Sequence, residues 1–319
     1  MNPPASISRR PWFAALLAVA LCASMSAPPA RAINIIGEGP ANVTGIYDRF
    51  NVDSYPGAPV ANPSFIGTSL GFDLSGVGWL AGNPNQSITL VSSRYFVGAA
   101  HAFPASGTAL QFFGTDHLLH SATVDSYQTL IYTGTNGAQT SDLTVGRLTT
   151  ALPASVTPMP IFYMGATDIS NPSSFDAYGG VSLYNYGWTA RMGTNGLDGF
   201  GEFGFVQNGP VTNIGLVYTQ GATPGETLLE SGDSGSPTLG YRDGVYGLIG
   251  SHSGVDTPRA LSVDAFVSYT SYVDQMNAIL ANDGQSLILA VPEPGTFLFG
   301  FALMGMCAAR RVRRVRQGL

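Results

Sequence analysis

Three short motifs hold residue types that together can make a nucleophile. Glu230-Ser231-Gly232-Asp233-Ser234-Gly235-Ser236-Pro237 sets a serine between two glycines. Gly232 lets the backbone turn so that its N–H faces a ligand. Gly235 leaves room beside the serine, and Asp233 can fix the loop from inside. Ser93-Arg94-Tyr95-Phe96-Val97-Gly98-Ala99-Ala100-His101 runs an apolar strand into two alanines and a histidine, small residues that let another sheet come close. Ser141-Asp142-Leu143-Thr144-Val145-Gly146-Arg147-Leu148 puts an aspartate at the head of a third apolar strand. A serine hydroxyl is a weak nucleophile near neutral pH. It attacks a carbonyl when a base within hydrogen-bond reach takes its proton, and the base needs an acid to orient it. Ser234, His101 and Asp142 supply the three parts. Singly, each motif has a plain structural reading: a solvated histidine, a turn acid, and a Gly/Ser turn in a chain with 40 glycines. Their coincidence carries the chemistry.

The chain order is His, Asp, Ser. That order excludes the α/β-hydrolase arrangement, in which the serine comes first, and a Gly-x-Ser-x-Gly elbow fails because position 236 is Ser. The three motifs resemble those of the trypsin/chymotrypsin-like serine peptidases. Ala99-Ala100-His101 is similar to their Ala-Ala-His motif. The strand opened by Asp142 is similar to their Asp-Ile-Ala-Leu-x-x-Leu strand. Gly232 to Pro237 is similar to Gly-Asp-Ser-Gly-Gly-Pro, with Ser236 for the second Gly. The resemblance spans roughly residues 75–285. It implies an all-β fold of two six-stranded antiparallel β-barrels with the site in the cleft between them. It also implies roles: Ser234 attacks, His101 moves the proton, Asp142 holds the histidine, and the backbone N–H groups of Gly232 and Ser234 form an oxyanion hole. Polypeptides are the implied substrates, and the chemistry needs no metal or organic cofactor. His117-x-x-His120 lacks a further ligand at metal spacing and reads as a surface strand or turn.

The sequence departs from the family in ways that bear on specificity. Ala102 stands where many relatives have a disulfide cysteine. Leu228 occupies the position that often sets primary specificity, and it cannot select Arg or Lys as an aspartate would. Gly247-Leu248-Ile249-Gly250-Ser251-His252 resembles the strand of the pocket wall, so His252 either approaches the substrate side chain or is simply exposed. A small apolar and an acidic P1 residue both stay open. In many relatives a new N-terminal Ile pairs with the aspartate before the nucleophile, here Asp233. Ile33, or a terminus cut nearby, is the candidate partner. A rival reading has the same motifs in a catalytically weak protease-like domain that serves as a surface binding or matrix protein.

The elements that must position these residues read as strands. Short apolar, β-branched and aromatic runs recur at 87–91, 95–97, 109–113, 122–127, 143–148, 215–218 and 244–249, broken by Gly, Asn, Pro and Ser. Residues 152–161 carry three prolines and predict an extended connection between two halves, with the boundary near 150–160. Residues 271–280 have helical spacing and predict a short C-terminal helix on the second half. The glycine-rich stretch 193–204 reads as a surface loop.

Both ends read as addresses. Residues 1–32 combine Arg9 and Arg10, an apolar run over 12–25 and the small-x-small site Ala30-Arg31-Ala32, the pattern of a signal peptide cut before Ile33. Residues 286–319 contain Pro292-Glu293-Pro294, an apolar helix over 297–309 and an arginine cluster over 310–316. This segment resembles the PEP-CTERM sorting signal of Gram-negative bacteria. The resemblance implies export by signal peptidase, transient anchoring in the inner membrane by the apolar helix, handling by an exosortase, and a final place at the cell surface or outside. The body, 33–285, is the expected peptidase domain. The formal charge of −6 hides the division. All 14 basic residues are Arg, and between 33 and 291 only six of them face nineteen acids. So acidic a body repels nucleic-acid phosphates and anionic membrane faces. The two cysteines, Cys22 and Cys307, fall in the end segments, so the body holds no disulfide and depends on its core.

Overall fold

A computed structural model describes residues 33–39, 43–134, 137–206 and 210–292. The expected signal peptide and the segment from Glu293 onward lie outside the described residues. Among the described residues no helix is long and apolar enough to cross a membrane.

The architecture is mostly β with few helices. After a two-residue strand β1 (Asn34–Ile35) and a helical turn α1 (Ile66–Ser69), six strands close a barrel: β2 (Val77–Leu80), β3 (Asn83–Ser92), β4 (Tyr95–Ala99), β5 (Ala109–Phe113), β6 (Leu119–Gly134) and β7 (Gly137–Leu148). Their order is β2-β3-β4-β7-β6-β5. Inward residues of these strands, among them Ile88, Leu90, Phe96, Leu110, Phe112 and Val124, make the barrel's own core. Alternation along each strand sends these side chains inward, and closure leaves no unpaired edge. Residues 151–160, with their three prolines, then cross without regular structure to β8 (Ile161–Phe162).

The second half departs from the six-stranded barrel. It is a nine-stranded sheet built from β8, β9 (Ser182–Gly187), β10 (Arg191–Gly196), β11 (Gly199–Val206), β12 (Pro210–Thr219), β14 (Pro237–Arg242), β15 (Val245–Asp256), β16 (Leu261–Phe266) and β17 (Leu289–Ala290). The main path runs β10-β9-β14-β15-β16-β12-β11, while β8 and β17 attach to it in parallel. The ends of the path do not pair with each other among the described residues. Instead, edge strand β10 donates outward to loops, the Thr194 N–H to the Gly225 carbonyl at 2.7 Å before β13 (Thr227–Leu228) and the Met192 N–H to the Tyr47 carbonyl at 2.9 Å. β13 in turn pairs with β1.

The glycine-rich stretch 193–204 is not a loop. It forms the end of β10 and most of β11. At Gly193 a side chain would meet the Thr227 methyl at 2.4 Å and the Gly225 carbonyl at 2.6 Å, so glycine is what lets this edge be covered. Helix α2 (Thr270–Leu280) buries Tyr272, Val273, Met276 and Leu280. Just beyond it, Asp283 accepts from Tyr95 at 2.9 Å and from Arg147 at 2.8 and 3.1 Å, tying this end of the chain to the first barrel. The chain stays attached to the sheet past residue 285, because the Ile161 and Tyr163 N–H groups bond the Ile288 and Ala290 carbonyls at 2.8 and 2.9 Å.

Candidate active site

β4 delivers His101, β7 carries Asp142 within its length rather than at its head, and Ser234 sits in the loop between β13 and β14. β4 stops at Ala99, and one tight turn, Ala100–Ala102, presents His101. β7 pairs with β4, matching Leu143 to Ala99, which sets Asp142 beside that turn. The serine loop comes from the second sheet. At Gly235, φ is +86° and a side chain would meet the Ala99 N–H at 3.1 Å and the Ser87 carbonyl at 3.3 Å. The small residues around His101 thus allow the serine loop to seat against the first barrel.

The three side chains form one line. His101 Nδ1 lies 2.9 and 2.8 Å from the two Asp142 oxygens, and His101 Nε2 lies 2.8 Å from Ser234 Oγ. An ionised carboxylate only accepts, so Nδ1 carries the proton and Nε2 is left to accept from the serine hydroxyl. The hydrogen bond that His101 donates to Asp142 raises the His101 pKa above its ordinary 6.5, against partial burial that lowers it. Asp142 is buried and surrounded by donors. It also accepts from the His101 backbone N–H at 2.9 Å and from Ser253 Oγ at 2.7 Å, while its own N–H bonds Asn213 Oδ1 at 2.6 Å. Ser253 and Asn213 come from β15 and β12. No motif marked them, because a serine beside His252 and an asparagine in an apolar strand look ordinary until the sheet folds over the aspartate.

The serine loop is held from below. Asp233 is buried, and its carboxylate accepts N–H groups from Trp188 at 2.7 Å, Glu230 at 2.8 Å and Ile33 at 3.4 Å. Burial pushes its pKa up, opposed by the nearby His252 and by these three donors. Gly232 has φ +113°, and a side chain there would strike the Trp188 ring at 2.5 Å. The backbone N–H groups of Gly232 and Ser234 donate to no acceptor among the described residues. They are free to meet a ligand oxygen.

No protein-family model matches the chain, and no curated protein matches it. Among solved structures it is similar to a mutant of human heparin binding protein (CAP37), at 16% identity and a TM-score of 0.43, over 66% of this chain and 94% of that one.

A cleft of about 550 Å³ opens beside the triad, lined in part by Leu229, Glu230, His252, Ser253 and Val255. Leu228 is not among its lining residues. It sits in β13, buried and paired with Asn34, so its neighbour Leu229 faces the cleft instead. His252 is only 1% exposed and is a histidine with both nitrogens engaged. Nδ1 lies 2.8 Å from Asp264 Oδ1, and Nε2 lies 2.9 Å from the Tyr186 carbonyl, which can only accept. Burial, the largest single influence, opposes charge on this ring, yet Asp264, Asp233 and the Tyr186 carbonyl together hold the pKa above the ordinary value. His252 therefore reaches the cleft wall without a spare donor for a substrate. The other sequence candidate, His120, bonds Asp116 at 2.9 Å and Ser155 at 3.1 Å, while His117 sits in a turn with φ +61°. Neither approaches the triad by any hydrogen bond.

Proposed function

We propose that this chain is an exported serine endopeptidase that hydrolyses peptide bonds through an acyl-enzyme. The carrying observation is the unbroken line from Asp142 through His101 to Ser234, with each link at 2.8–2.9 Å. Ser234 Oγ attacks the scissile carbonyl carbon while His101 Nε2 takes its proton. The developing oxyanion turns toward the free N–H groups of Gly232 and Ser234, each worth about 2.7–4 kcal/mol in such sites. The C–N bond then breaks as His101 returns the proton to the leaving amine. Water repeats the sequence on the ester and frees Ser234. Asp142 keeps the imidazole in one tautomer and stabilises the imidazolium.

The cleft disfavours an acidic P1 residue. Glu230 lines it, and the His252–Asp264 pair spends its donors on protein acceptors. Cleavage profiling with a peptide library tests this; efficient cutting after Asp or Glu would refute it. Signal peptidase would release residues 1–32 and expose Ile33, whose nitrogen already points at Asp233. The tail from Pro292 would act in exosortase-dependent sorting to the cell surface, and removing 292–319 should change surface retention. Unchanged localisation would count against sorting.

The competing reading is a protease-like surface binding protein without turnover. Fluorophosphonate labelling separates the two. Labelling of the exported protein that is lost in Ser234→Ala and in His101→Ala supports the peptidase. A folded wild type that never labels supports the binding protein.

A further inference from the structure

Outside the triad, the body's arginines point to a second site. Six arginines lie between residues 33 and 291. Five have a carboxylate within ion-pair distance: Arg94, Arg147, Arg191, Arg242 and Arg259. Arg49 has none among the described residues, although only 7% of it is exposed. Its Nη1 donates to the Val77 carbonyl at 2.9 Å and reaches the Tyr186 hydroxyl at 3.4 Å. The Phe50 ring lies 4.7 Å from its guanidinium carbon. Nε and Nη2 donate to no acceptor among the described residues. A buried cation without a counter-ion is costly, and carbonyl and ring contacts offset only part of that cost.

Arg49 lines an open cavity of about 450 Å³, apart from the catalytic cleft, whose walls include Phe50, Phe72, Phe113 and His117. The volume suits a small organic ligand. The free Nε–Nη2 edge is the fork that pairs with a carboxylate through two parallel hydrogen bonds. The aromatic walls suit a flat apolar group. Asp73 also lines the cavity, with its Oδ1 capping the Ser75 N–H at 2.9 Å, and it disfavours a doubly charged guest. We infer that the Arg49 cavity binds a small monocarboxylate carrying one flat apolar group, with the carboxylate on Arg49 and the ring among the phenylalanines. The inference uses no part of the peptidase reading and holds equally for a Ser234→Ala protein.

Titration calorimetry of the full chain with phenylacetate, and with its uncharged analogue phenylacetamide, tests it. One molecule of phenylacetate per chain is expected, with the amide at least tenfold weaker and added salt reducing the affinity. Arg49→Met should abolish binding. Because that variant also removes the hydrogen bond to Val77, Thr68→Trp provides the second arm: Thr68 is exposed on α1 at the cavity wall, so an indole there fills the space and should block binding without lowering the melting temperature. No phenylacetate binding at millimolar concentration, equal binding of acid and amide, or wild-type binding by Thr68→Trp would each overturn the site and leave Arg49 as a support for the Val77 carbonyl.

Discussion

Retaining one residue before Ile33 should nearly silence the protein. Ile33 is buried, and its nitrogen lies 3.4 Å from Asp233 Oδ1. The same carboxylate anchors the Trp188 and Glu230 N–H groups, and Asp233 sits between the two residues whose N–H groups face the proposed oxyanion. In a chain that continues past Ile33, Asp233 receives only an amide N–H there. A free terminus would supply an ammonium. Two unit charges at 3.4 Å attract by about 5 kcal/mol at an effective dielectric near 20. Desolvating the ammonium takes back part of this, so about 3 kcal/mol remains to hold the loop, close to the cost of breaking a buried pair. If the open loop is the default without that energy, activity falls roughly a hundredfold. The assay compares the rate of fluorophosphonate labelling in protein starting at Ile33, at Ala32, and at Ile33 with its amine acetylated. Labelling reports the serine loop whatever the P1 preference. Asp233→Asn should match the extended form, and combining the two should add little, because both break one pair. Full labelling rate in the extended protein would refute the reasoning.

Three further outcomes follow from the geometry. Activity should rise with pH as His101 loses its proton, with a midpoint above 6.5 because Asp142 holds the imidazolium; Asp142→Asn should lower that midpoint and reduce kcat about 10⁴-fold. The same shift implies the opposite trend for folding, since the stabilisation from this pair is complete below pH 6.5 and lost as pH rises through the raised value, which thermal melts across pH 6–9 would check. Ser253→Ala removes a hydroxyl from the buried Asp142 carboxylate, a bond of about 1.5–3 kcal/mol, and should cut kcat some tenfold or more while moving the His101 midpoint upward; an unmoved pH profile would show that Ser253 does not act through Asp142. Asp283, held at about 2 first by Arg147, should stabilise the fold above its ordinary 3.8 and lose that contribution as pH falls through about 2, so Asp283→Asn should lower the melting temperature at pH 7 and converge on wild type as pH falls below 2.

The three residues of the His101–Asp142–Ser234 line were legible because each is announced locally. The serine loop holds Gly232 and Gly235, whose positive φ is written in their identity, His101 follows the apolar strand β4, and Asp142 opens the apolar run 143–148 inside β7. The first barrel follows from strand runs whose neighbours in sequence are mostly neighbours in space. What escaped is what depends on distant pairings. Residues between Ile33 and the first barrel carry none of the three motifs. They wrap the base of the serine loop. β1 pairs with β13, Glu38 and Asp48 hold Arg191, and the Arg49 N–H bonds the Ala190 carbonyl at 2.9 Å. That last bond grips Thr189 and Ala190, both at positive φ without being glycine, directly after the Trp188 that packs on Gly232. Such a turn costs free energy and persists only where its surroundings enforce it. No local pattern predicts it, since neither residue favours that conformation. The same logic explains Leu228. Counting back from the nucleophile puts it in the pocket, whereas it pairs with Asn34 of β1 and its neighbour Leu229, itself buried, lines the cleft. The segment before the three motifs, which none of them covers, thus packs against the base of the serine loop, and that is why its first nitrogen is the most informative atom to alter.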